Sequence, residues 1–196
     1  MAVSKEPILK RCRHLGISPM VMGISKNSNR NPNANSRKKV SGMQLKEKQK
    51  LKFIYGVLEK PFYHYFEIAE KMEGKAGDNL ITLLESRLDN VAYRMGMALT
   101  RREARQLVTH RHFTVNGQRV NIPSYRVKEG DVIALYEGSR SSQKFKDVLE
   151  QTANRPVPLW LEANKENFSV KVTRMPKVED LDYEVEAHLI VELYSK

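Results

Sequence analysis

The chain has 196 residues, 40% of them hydrophobic, with a formal net charge of +11 and an isoelectric point near 9.7. That is apolar material enough for one or two domains with a core, and the surplus of cations points to a polyanionic partner. A single cysteine, Cys12, excludes an intrachain disulfide and a multi-cysteine zinc site and fits a reducing compartment, while the absence of an apolar leader or of any run near the ~18 residues needed to span a bilayer predicts a soluble protein with no membrane partner.

Residues 1–43 scatter Lys10, Arg11, Arg13, Lys26, Arg30, Arg37, Lys38 and Lys39 among glycine, proline and asparagine. Through residue 50 there are 12 Lys/Arg against 2 Asp/Glu. Such a stretch buries little apolar area and is expected to be an extended basic arm that orders against a partner, or a plain flexible tail. From Gln44 to Tyr55 the pattern turns helical, with Lys48 and Lys50 among its outward cations, and Gly56 ends it. A second helix is expected to start at Pro61, with Phe62, Tyr65, Phe66 and Ala69 at i, i+3, i+4, i+7 as core. After Gly74 and Gly77, Asp78 can cap one long helix carrying Leu80, Leu83, Leu84, Leu88, Val91 and Met95 on one face, bordered by Arg87 and Arg94.

Thr100 followed by Glu103 is a capping box. At roughly 100° per residue, Ala104, Leu107 and Val108 then share a packing stripe while Arg101, Arg102 and Arg105 share an outward, solvated one. Gln106 and His110 belong with that cationic face. Asn116-Gly117 between short apolar runs predicts a type I′ hairpin, because both central residues need positive φ, and Arg119 follows it. A turn through Ser124 and Tyr125 completes the stretch. This arrangement of helix, hairpin and turn suits the holding of an RNA backbone; the plain alternative is a solvated charged helix beside an ordinary hairpin. Further on, a helix should carry Phe145, Val148 and Leu149, and residues 169–174 alternate as a strand. Residues 182–196 fit helix or strand equally well by periodicity. The last fifty residues, 147–196, hold 6 Lys/Arg against 10 Asp/Glu, so the acidic end is expected to face something other than phosphate.

Signatures of dinucleotide, P-loop, zincin or nucleophile-elbow chemistry are missing, and no two histidines have metal-ligand spacing. No enzyme, cofactor, metal or small-molecule substrate is expected. Arg87-Leu88-Asp89 resembles the surroundings of the catalytic aspartate in one pseudouridine synthase family, but it sits immediately before the basic module with no room for a catalytic domain. Asp89 is therefore read as a structural or RNA-orienting carboxylate.

Several motifs occur in order: Gln44-Leu-Lys-Glu-Lys-Gln-Lys, Ile54-Tyr-Gly-Val-Leu-Glu, Leu83-Leu-Glu-Ser-Arg-Leu-Asp-Asn-Val, Glu103-Ala-Arg-Gln-Leu-Val, Val115-Asn-Gly, Ile122-Pro-Ser-Tyr and Leu189-Ile-Val-Glu-Leu-Tyr-Ser-Lys196. On these the chain resembles the family of bacterial small-subunit ribosomal protein number four, in its zinc-free branch since Cys12 stands alone. Its S-four (αL) RNA-binding module corresponds to residues 86–150. A Ser-Glu-Tyr-Gly element frequent in the family is shortened here to Val40-Ser41-Gly42.

The resemblance implies an α+β fold: the basic arm 1–43, a helical domain 44–85 completed by 179–196 as a helix (182–194 on this analogy), and an RNA-binding domain 86–178 with a small antiparallel sheet. It also implies a cytoplasmic, ribosomal constituent that binds 16S-type ribosomal RNA as a primary binder and nucleates assembly of the subunit body. Contact with ribosomal protein five, through Glu186, Glu192 and Tyr194, would contribute to translational accuracy, and mRNA would pass nearby where it enters the subunit. The RNA-contacting residues are then the cations named above in the arm together with Gln44, Lys48, Lys50, Arg87, Arg94, Thr100, Arg101, Arg102, Arg105, Gln106, His110, Asn116, Arg119, Ser124 and Tyr125. The alternative is an RNA-regulatory or RNA-modification-associated protein using the same module, including repression of its own mRNA.

Overall fold

The structure, a computed structural model, describes residues 6–26, 40–164 and 166–195. Its helices are α1 (Ile8–Leu15), α2 (Val40–Tyr55), α3 (Glu59–Lys71), α4 (Ala76–Glu85), α5 (Leu88–Arg94), α6 (Arg101–Thr109), α7 (Glu137–Arg140), α8 (Gln143–Thr152) and α9 (Ala187–Tyr194). The strands are β1 (Phe113–Val115), β2 (Gln118–Arg119), β3 (Val132–Leu135), β4 (Leu161–Asn164) and β5 (Ser169–Val172). Two compact units emerge, Met1–Ile81 with Leu181–Lys196, and Thr82–Asp180, which together make an α+β protein. No helix among the described residues is long and apolar enough to cross a membrane.

In the helical unit, the expectation of an extended arm fails for residues 8–22. Ile8, Leu9, Cys12 and Leu15 have helical spacing inside the basic stretch; α1 forms, Gly16 ends it at φ 71° with its N–H on the Cys12 carbonyl, and a 3-10 turn follows at Pro19–Met22. Cys12, Leu15, Ile17, Val21 and Met22 are all buried, and Arg11 Nη2 donates to Gln49 Oε1 of α2 at 3.2 Å. A few well-spaced apolar residues thus outweighed the polar composition around them. Helix α3 starts at Glu59, so Pro61 is its third residue and not its first; the missing N–H does no harm there because the first four amides of a helix lack intrahelical partners. Phe62, Tyr65, Phe66 and Ala69 are core as expected. At the C-terminus only Ala187–Tyr194 of the expected 182–194 is helical. Gly77 lets α9 approach closely: a Cβ there would stand 2.9 Å from that of Ala187.

The expected single helix from Asp78 is broken. Helix α4 begins at Ala76, leaving Asp78 inside its first turn, and ends before Arg87, whose backbone is extended (φ −68°, ψ 139°). The reason is tertiary. Residues 123–127 lie against the break: Leu88 N–H donates to the Tyr125 carbonyl, Asp89 N–H to that of Pro123, and Val127 N–H to that of Ser86, at 2.8, 3.2 and 2.9 Å. Beyond α6, five strands pair antiparallel in the order β2-β1-β3-β5-β4, where strand β4 had no sequence signal. Asn116 and Gly117 take φ 50° and 81°, as the hairpin turn requires. Helices α5, α6 and α8 and the inner face of the sheet enclose Leu88, Val91, Phe113, Ile133, Phe145 and Trp160.

Candidate nucleic-acid interface

Helix α6 is fixed at its start by side chains on both sides of the cap. Thr100 Oγ1 accepts from the Glu103 N–H at 3.2 Å, and Glu103 Oε2 accepts from the Leu99 N–H at 2.8 Å. Ala104, Leu107 and Val108 are buried as expected, but so is Arg101, at 6% exposure, while the Arg105 side chain keeps only 19%. Two of the three arginines expected to be solvated, Arg101 and Arg105, therefore turn inward.

They join a buried ionic network. Glu85, 1% exposed, accepts from Arg94 Nε and Nη2 at 3.1 and 2.9 Å and from Asn90 Nδ2 at 2.8 Å. Arg101 Nε donates to Asn90 Oδ1 at 2.8 Å, and its guanidinium carbon lies 4.4 Å from the centroid of the Tyr93 ring. Asp89 accepts a bidentate pair from Arg87 at 3.0 and 2.6 Å and a third bond from Arg105 at 3.4 Å. Asp89 is thus a structural carboxylate. Arg87, Arg94 and Arg101, expected at the RNA surface, are inside the fold, because a helix bordered by a crossing segment on one side and α6 on the other has no wet face left. Ion pairs this deep compensate their own desolvation only when every partner is present.

What α6 turns outward is Arg102, Gln106, Thr109 and His110, continued by the exposed Arg111 and Arg119. Arg111 was not anticipated. It follows the helix in the left-handed region, φ 63°, and the only sequence hint was its place between His110 and His112 at the helix end. Arg126 and Lys128, also unanticipated, are exposed on the turn beyond the hairpin. Asn116 serves the hairpin: its amide donates to Asp131 Oδ1 at 2.8 Å and accepts from the Val132 N–H at 2.9 Å. Thr100 is occupied as the cap, Tyr125 packs half-buried against the core, and Ser124 is exposed.

In the helical unit, Lys10 and Lys26 are exposed, and Arg13 Nε reaches its own helix at the Leu9 carbonyl. Arg30, Arg37, Lys38 and Lys39 lie outside the described residues. Gln44, expected to contact RNA, is 2% exposed and donates to Glu192 at 2.8 Å; its position on α2 faces α9, which periodicity within α2 could not reveal. Lys48 and Lys50 have carboxylate partners in Glu59 and Glu47. Tyr194, expected to meet a partner protein, is held by its own unit: its ring centroid is 4.7 Å from that of Phe66 and 5.3 Å from that of Tyr63, and its hydroxyl donates to Glu59 at 3.0 Å. Burial, and then the Glu59 carboxylate, push the Tyr194 phenol above its ordinary range. Glu186 and Glu192 are exposed.

Glu59 itself is held down to a pKa of about 2: desolvation opposes this, but hydrogen bonds from Lys48, Lys52 and Tyr194 outweigh it. A carboxyl depressed from 4.5 in this way contributes stability that is complete above the ordinary value and is lost as pH falls toward 2. Acidification from pH 5 to 2 should therefore loosen the Tyr194 docking, seen as loss of near-ultraviolet tyrosine dichroism, and the part of that change caused by Glu59 should be missing in Glu59→Gln.

Residues 4–85 match the Ribosomal protein S4/S9 N-terminal domain and residues 86–133 the S4 domain. Small ribosomal subunit protein uS4 of Lachnoclostridium phytofermentans is 56% identical over the whole of both chains. The uS4 of Agathobacter rectalis is 53% identical over the whole of both, and that of Clostridioides difficile is 52% identical over 95% of this chain and 96% of its own. The chain belongs to the small ribosomal subunit protein uS4 family. It is a family of ribosomal proteins and not of enzymes. The boundary between the two uS4 matches falls at Ser86, where α4 is broken, so the S4 domain here opens with the crossing segment's first partner and includes Arg87, Asp89, Arg94, Arg101 and Arg105, with Glu85 reaching in from the residue before it. Among the described residues no group of three or more His, Cys, Asp or Glu is placed to hold a metal ion.

Proposed function

We propose that the protein is a structural constituent of the cytoplasmic small ribosomal subunit, a primary binder of small-subunit ribosomal RNA that nucleates assembly of the subunit body. The observation that carries this is the outward ridge of Arg102, Gln106, His110, Arg111 and Arg119 on a helix locked from beneath by ion pairs. A cationic surface whose base cannot move reads the shape and phosphate spacing of folded RNA without first paying an ordering entropy, which suits a protein that binds early. The module spans residues 86–150 on this reading, and the basic residues of 1–43 add a second set of phosphate contacts.

The acidic end supports a protein neighbour. With the Tyr194 ring turned inward, Glu186 and Glu192 are the groups we assign to contact ribosomal protein five and, through it, to translational accuracy, in a region that mRNA passes as it enters the subunit.

The test uses the full chain and a small-subunit RNA transcript. One junction of that RNA should be protected from cleavage, and Arg102→Gln with Arg111→Gln should weaken the protection and make the plot of log affinity against log salt shallower by about 2, roughly one for each phosphate no longer neutralised, with the melting temperature unchanged within a few degrees. Full-strength protection by the double variant would remove the ridge from the interface.

A further inference from the structure

Arg119 stands apart from the other cations of the ridge because its plane is fixed. Both Nε and Nη2 donate to the Arg111 carbonyl, at 3.2 and 3.1 Å, and that carbonyl is aimed by the left-handed backbone of Arg111. One face of the guanidinium lies on Tyr136, with the central carbon 4.0 Å from the ring centroid. The ring is fixed in turn. The Tyr136 N–H donates to the His112 carbonyl at 2.8 Å, and Gly138 lies so close to the ring that a Cβ there would stand 2.8 Å from Tyr136 Cε1. Phenol ring and guanidinium therefore form two layers, ending in an arginine on the exposed edge strand β2.

A bidentate phosphate contact uses a free fork of guanidinium donors, and here the Nε and Nη2 fork is already engaged by the Arg111 carbonyl. A flat cation held rigidly, with one face covered and the residue exposed, has the form of a stacking platform. We propose that Arg119 receives an unpaired RNA base on its outer face as a third layer of this stack, giving the interface a point of selection for single-stranded nucleotides within otherwise helical RNA. The proposal rests on the RNA-binding reading above.

The experiment compares full-length wild type, Arg119→Lys and Arg119→Gln for binding to the small-subunit RNA transcript across salt concentrations. Stacking predicts that Arg119→Lys, which keeps the charge and loses the plane, binds roughly 5- to 100-fold more weakly with an unchanged salt slope. Arg119→Gln should be as weak and also shallower by about 1. Tyr136→Leu, which removes the supporting layer and leaves Arg119 in place, should reproduce the Arg119→Lys loss, whereas Tyr136→Phe should bind as wild type. Wild-type affinity for Arg119→Lys would overturn the platform and leave a simple phosphate contact. Failure of the wild-type chain to bind the transcript at all would instead overturn the RNA-binding function itself.

Discussion

Affinity for small-subunit ribosomal RNA is expected to fall by on the order of 10³–10⁵ between 50 and 200 mM salt, the loss that accompanies neutralisation of 6–10 phosphates on duplex DNA. The cations available for this are Arg102, Arg111, Arg119, Arg126 and Lys128 in the S4 domain, and Lys10 and Lys26 in the helical unit, all exposed or half-exposed. Arg87, Arg94 and Arg101 are left out of that set because they are buried, Arg87 against Asp89 and both Arg94 and Arg101 against Glu85. Titrations at several salt concentrations give the slope directly. An affinity that hardly changed would mean that base and shape contacts, and not phosphates, dominate, and the reading of the basic ridge would be wrong.

The largest effect on stability is expected from Glu85→Gln. The substitution keeps the shape and removes the charge that faces Arg94 at 2.9 Å and Arg101 at 4.0 Å. Breaking a buried pair on one side costs about 3–5 kcal/mol, because the remaining charge is left desolvated without compensation. For a unit the size of Thr82–Asp180 this corresponds to a fall in melting temperature of more than about 10 °C. Arg101→Gln should destabilise for the same reason, in contrast with Arg102→Gln one residue away. Thermal unfolding of the single variants, and of Glu85→Gln combined with Arg94→Met, distinguishes this from a surface effect: coupled residues give non-additive losses, while additive small shifts would show the network to be unimportant for stability.

That contrast between neighbours shows where sequence reasoning reached its limit. The start of α6, its buried stripe of Ala104, Leu107 and Val108, the Asn116-Gly117 turn, and the core role of Phe62, Tyr65, Phe66 and Ala69 were all legible, because each depends on spacing within one element or on a local backbone requirement. The outward ridge was half legible. Arg102, Gln106, His110 and Arg119 were found from helical phase and hairpin position, whereas Arg111 depends on an unusual backbone angle that no pattern announces.

By itself, then, the sequence determined the class of the fold, its basic character, the helices whose apolar periodicity is unbroken and the family resemblance carried by its motifs, since charge, period and turn chemistry are properties of neighbours along the chain. Which arginines meet solvent was decided only by tertiary structure. The segment 123–127 splits a helix that would otherwise continue and walls in Arg87, α6 closes over Arg101 and Arg105 to bring them against residues 11 and 16 positions away, and α9 covers Gln44 from 148 residues further along. An arginine is equally at home in water or against a buried carboxylate, so its side of the boundary is set by whether a distant part of the chain brings that carboxylate to it.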